Sequence, residues 1–122
     1  MSTVLTKQLF QKVTLEAGGR LDSSIFDMTT REGECRLQYE VSGDGVVKVE
    51  AVGTINGADF PDLPVELATN LTKTSGDGNG KGFIDLGGDS EPDIRLCKSI
   101  ILRITETGGV AAAGVDLWIA AR

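Results

Sequence analysis

The sequence predicts an all-β protein: a single-domain antiparallel β-sandwich or jelly roll of about eight short strands. Two observations carry this. In the C-terminal third, Ile100, Leu102 and Ile104 fall on one face of a β-type run, with Arg103 and Thr105 on the other. Further on, Val115, Leu117 and Ile119 share a face opposed by Asp116 and Trp118. Period-two alternation marks half-buried strands that each give one face to a core. The second observation is turn chemistry. The chain has sixteen glycines against three prolines, and turn signals recur about every 8–12 residues.

Taken in order, residues 1–17 read as an N-terminal strand or arm and 18–122 as the sandwich body, one domain in all. In the first segment Leu5, Leu9, Val13 and Leu15 share odd positions, interrupted by Lys7 and Gln11. That fits an edge strand or an extended arm laid on another subunit. Thr3, Thr6, Val13 and Thr14 weigh against a helix, and Gly18-Gly19 end the run. Ser24–Met28 is a short run and Thr29–Gly33 a polar turn. Glu34–Ser42 is the cleanest strand, with Cys35, Leu37, Tyr39 and Val41 inward and Arg36, Gln38 and Glu40 outward. Gly43-Asp44-Gly45 then reads as a hairpin turn, since Asp-Gly suits positive φ.

The return strand, Val46–Ile55, puts Val47, Val49, Ala51 and Ile55 inside. Asn56-Gly57 and the loop Ala58–Pro64 lead to a strand over Val65–Thr74, with Val65, Leu67 and Leu71 inward. Ser75–Gly82 is expected as a flexible loop, Phe83–Leu86 as a short strand and Gly87–Pro92 as a loop. The last two runs, Ile94–Thr107 and Val110–Ala120, are expected as central strands on either side of Gly108-Gly109, which reach positive φ at little cost.

Composition narrows the function. At 122 residues the chain can bury one core without staples. Its net charge of −6 argues against nucleic acid and anionic membranes, because an acidic surface repels both. The N-terminus lacks the basic start and apolar core of a secretory signal, and no apolar run is long enough to span a membrane. The chain is therefore expected to be made and assembled in the cytoplasm.

The side-chain inventory points away from catalysis. There is no histidine, which removes Ser-His and Cys-His pairs, an imidazole base and the commonest zinc ligand. Asp85, Asp89, Glu91 and Asp93 cluster in sequence, but aromatics are only 5%, too few for the aromatic-lined cleft a glycosidase needs. Cys35 and Cys97 read either as small buried hydrophobes or as partners in a bond between strands.

In the tract Ser75–Gly82, Asp77, Asn79, Gly82, Ile84 and Asp85 fall at positions one, three, six, eight and nine of an EF-hand loop. Position five is then Lys81, and position twelve is Gly88, where a glutamate is required. A plain loop is the preferred reading, with a loose calcium set of Asp77, Asn79 and Asp85 as the alternative. No cofactor or metal site is expected.

Trp118, outward beside Asp116, is either an interface anchor or is covered by a second layer such as the N-terminal segment. The candidate interface residues are Leu5, Leu9, Phe10 and Trp118.

The end of the chain, SIILRITETGG followed by GGVAAAG and the last strand Val115–Ala121, resembles small tailed-phage virion proteins of the capsid cement or decoration type. So does the short start Thr6–Gln11. The resemblance implies a non-enzymatic β-sandwich on the outside of a capsid. There it would bind the major capsid protein or another virion protein and stabilise contacts between capsid subunits, often as a homotrimer. Two alternatives stand beside it: a phage tail or baseplate component, and a carbohydrate-binding sandwich. The latter would need a row of exposed aromatics.

Overall fold

The computed structural model describes residues 4–29, 34–57, 59–86 and 97–122. Nine strands occur there: β1 (Leu5–Leu15), β2 (Arg20–Asp22), β3 (Phe26–Asp27), β4 (Cys35–Gly43), β5 (Val47–Thr54), β6 (Val65–Leu71), β7 (Lys81–Leu86), β8 (Ser99–Glu106) and β9 (Ala113–Ala121). They form two antiparallel sheets. The first runs β1-β9-β4-β7 and the second β2-β8-β5-β6, with β3 also on β8. β2 and β3 both pair with β8 and amount to one strand broken at Ser23-Ser24-Ile25. Eight ribbons in this order make a jelly roll, so the expected fold class holds. The three residues of β2 are all exposed, which left it no apolar alternation to announce it.

The core lies between the sheets and uses the predicted alternation. Leu37, Tyr39 and Val41 of β4 and Val115, Leu117 and Ile119 of β9 face Val47, Val49 and Ala51 of β5 and Ile100, Leu102 and Ile104 of β8. β8 and β9 are central strands as expected, one in each sheet. Cys35 is buried on β4. The Cys97 sulfur occupies the space that a Cβ on Gly53 would need, so both cysteines pack with the core.

Several expectations are corrected. Gly43-Asp44-Gly45 does not close a hairpin: β4 and β5 lie in different sheets, and the tripeptide is an arch between them. Alternation says which residues face inward, but not whether the next strand pairs sideways or crosses over. Ile55 is not inward but 79% exposed. β5 ends at Thr54, whose Oγ1 accepts the Gly57 N–H and turns the chain.

In β1 the register against β9 shifts twice, between Gln8 and Phe10 and between Phe10 and Val13. Each shift is a bulge that reverses parity, so Phe10 joins Val13 and Leu15 on the inner side. Lys12 takes a φ of 45° there, and its N–H donates to Asp116 Oδ1 at 2.8 Å. β6 is bulged too, with Asn70 at a φ of 57°. Ile94, Asp89, Glu91, Asp93 and most of the turn at 29–33 lie outside the described residues.

One end of the sandwich is held by a buried carboxylate. Glu106 is 1% exposed. Its Oε1 accepts N–H groups from Gly18 (2.9 Å) and Gly109 (2.7 Å). Its Oε2 accepts those of Val46 (2.8 Å) and Gly108 (2.9 Å). These donors belong to the three arches β1–β2, β4–β5 and β8–β9, all of which cross between the sheets at this end. The backbone donors, Val46 first, hold its carboxyl down at about 2, because hydrogen bonds to a carboxylate favour its charged form. Gly45 lies between arches: a Cβ there would sit 2.8 Å from the Ala111 carbonyl oxygen.

Candidate interaction surface

The outer face of the β1-β9-β4-β7 sheet carries the most distinctive chemistry among the described residues. The same alternation that sends Leu117 and Ile119 inward sends Trp118 outward, where it is half-buried. Register aligns it in a row across all four strands: Gln8 of β1, Trp118 of β9, Gln38 of β4 and Phe83 of β7. Phe83 is 62% exposed.

Charges flank this row on both sides. On one side Arg36 pairs with Asp85 at 2.6 Å, and its guanidinium lies 4.9 Å over the Phe83 ring, within cation–π range. The hydrogen bond to Asp85 raises the Arg36 pKa further. On the other side Lys81 pairs with Glu40 at 3.2 Å. There Asp116 also accepts from the Gln8 amide at 3.3 Å. Three shallow grooves surround the row. One of about 340 Å³ lies by Val4, Ala120 and Arg36. A second of about 340 Å³ lies by Gln38, Lys81 and Phe83. The third, about 370 Å³, lies over Gly114 between Lys12 and Ser42.

The opposite sheet is more closed. On β8, Arg103 reaches Asp22 of β2 at 2.8 Å and Asp62 of the β5–β6 loop at 2.9 Å. It therefore ties that loop over its own sheet. The Arg103 hydrogen bond lowers the Asp62 pKa.

The structure separates the four residues proposed from sequence. Leu5 is 43% exposed at the start of β1, opposite Ala121. Leu9 is half-buried and packs on the core, and Phe10 is buried within it. Phe10 is thus corrected from interface to core, because the bulge turns it inward beside Leu117. Trp118 lies on the outer face. Phe83, Gln38 and Arg36 were missed. Phe83 could have been found from the alternation of Phe83 and Asp85 with Ile84 and Leu86, but its alignment with Trp118 depends on a register no single strand encodes.

Asp77 Oδ1 accepts the N–H groups of Asn79 (2.8 Å) and Lys81 (3.3 Å) and so shapes its own turn. Asp85 is held by Arg36. Among the described residues no group of three or more His, Cys, Asp or Glu could hold a metal ion. The Ser75–Gly82 loop is itself hydrogen-bonded, with Gly76 bridging Lys81.

No protein-family model matches the sequence, and no curated protein does. Solved structures share the fold. Over 98% of this chain, VP2 of an infectious bursal disease virus subviral particle superposes with a TM-score of 0.63 at 12% identity. Tailspike protein 4 of bacteriophage CBA120, in its enzymatically active domain, superposes over 95% with a TM-score of 0.52 at 10% identity. Tripeptidyl peptidase 2 does so over 91% with a TM-score of 0.58 at 9% identity. The chain spans 32%, 17% and 9% of those three chains. Virus-shell, phage-tail and protease chains therefore all contain this all-β architecture.

Proposed function

We propose that this chain is a non-enzymatic structural protein of a virus particle, and specifically a capsid decoration protein. It binds the outer shell and stabilises contacts between capsid subunits. The observation that carries this is the near-complete superposition of the chain on part of a VP2 chain from a viral particle. The resemblance of the C-terminal sequence to cement proteins points the same way. Fold likeness across unrelated activities does not fix function, so the reading also draws support from the side chains. Histidine is absent from the sequence. Glu106 is consumed by four backbone donors. Asp85, Glu40 and Glu34 each lie in an ion pair.

In this reading the exposed apolar start of β1, Val4 and Leu5, docks on the shell, and repetition over the particle converts modest contacts into avidity. Electron microscopy of the particle, with and without this protein, tests it. The protein is expected as ordered density on the shell, and its removal should lower the temperature at which the shell ruptures. Its absence from purified particles would overturn the proposal.

A second reading, a tail or baseplate component, is favoured by the tailspike superposition. The same images separate the two by where the density lies.

A further inference from the structure

We propose that the outer face of the β1-β9-β4-β7 sheet receives a second copy of this chain, face to face, about a two-fold axis lying along the row Gln8–Trp118–Gln38–Phe83. This deepens the reading of the chain as an assembly component by naming one partner and one surface.

Register makes this face complementary in charge to itself. On β4, Arg36 and Glu40 lie two residues to either side of Gln38. On β7, Asp85 and Lys81 lie two residues to either side of Phe83. Rotation about the row exchanges the two sides, so Arg36 comes over Glu40 of the second copy and Asp85 over Lys81. Within each copy Arg36 already holds Asp85 at 2.6 Å and Lys81 holds Glu40 at 3.2 Å. The four charges therefore close into a ring of alternating sign, and the two-fold makes a second ring. On the axis each side chain meets its own counterpart. Trp118 faces Trp118, and the Gln38 amides can donate to and accept from one another.

The alternative in-plane axis, along the strands, exchanges β4 with β9. It would bring Glu40 over Asp116 (aligned neighbours in this sheet) and Phe83 over Gln8, with like charges opposed. The register thus selects the first axis.

Geometry permits the contact. Packed sheets cross at about 30°. At roughly 7 Å from the axis, two residues along a strand, that crossing displaces facing charges by about 3.6 Å, within reach of Arg, Lys and Glu side chains. Four strands about 4.8 Å apart give a face of roughly 500 Å² per copy, or about 1,000 Å² in all. This is the small end of specific interfaces, so the pair should be weak and concentration-dependent.

The test uses the purified full chain and no particle, so its failure and the failure of the virion reading are distinguishable. Sedimentation across roughly 5–500 μM, a span suited to weak interfaces, should show monomer passing to dimer, with Trp118 emission shifting over the same range. Arg36→Glu alone, and Glu40→Arg alone, each set like charges face to face and should weaken the dimer by about tenfold or more. Mixed together, the two variants bring opposite charges back into register at both facing contacts between positions 36 and 40, and should restore association. Rescue by mixing cannot come from a misfolded variant. A wild-type chain that stays monomeric, a trimer indifferent to both substitutions, or a mixture no stronger than its components would overturn the proposal. So would a glycan bound at Trp118 with no self-association.

Discussion

The Val46 N–H and the Glu106 Oε2 meet at 2.8 Å although they lie 60 residues apart in sequence. With Gly18, Gly108 and Gly109 as further donors to the same carboxylate, one side chain fixes three crossovers between the sheets.

Stability should therefore fall in acid through this group. The folded carboxyl lies at about 2 against an ordinary 4.5. A depressed folded value contributes fully above the unfolded pKa and is lost as pH drops towards the folded one. Urea midpoints measured between pH 5 and 2 should decline for the native chain. Glu106→Gln, which presents an NH2 group to backbone donors, should start lower and decline less over that window. Equal slopes would show that Glu106 does not carry the effect.

Gly45→Ala should cost about 1–3 kcal/mol, the usual range for overpacking. Its Cβ would meet the backbone of Ala111 and Ala112 at 2.8–2.9 Å, and backbone cannot swing aside as a side-chain tip can. Thermal or urea unfolding measures it. A change within error would mean that the two arches are free to separate.

Under the proposed decoration role, Leu5→Asp should abolish binding to the shell while leaving the melting temperature nearly unchanged, because Leu5 is already half in solvent. Deleting β1 outright would be a poor substitute, since it also strips Phe10 and Leu15 from the core. Binding of the variant to particles stripped of this protein, read beside its Tm, decides the point. Native-like binding would remove the start of β1 from the docking surface.

Calcium at millimolar concentration should leave the Tm unchanged. Asp77 already serves two backbone N–H groups through Oδ1, and Asp85 is tied to Arg36. A Tm rise on adding calcium that chelator reverses would contradict this.

Much of the fold was legible because alternation is a one-strand property. Cys35–Val41, Val47–Ala51 and Val115–Ile119 each declared an inner face, and the structure uses all three. What alternation cannot carry is which strand lies beside which. The Asp-Gly corner at 44–45 therefore looked like a hairpin, and Phe83 and Trp118 gave no hint that they share a row. Phe10 was misread because a bulge at Lys12 needs Asp116, 104 residues away, to receive its N–H. Glu106 passed unnoticed because its donors come from three distant corners of the chain.

The irregular borders of the two sheets have a consequence of their own. β1 and β6 are bulged, β2 and β3 are interrupted, and β7 is six residues long. None of them offers the long straight ladder on which a foreign strand could template. A protein held at high local density would gain from this, because blunted edges make it harder for crowded copies to pair strand to strand. Straightening β1, for example by deleting Lys12, would be expected to release that safeguard before it released the fold.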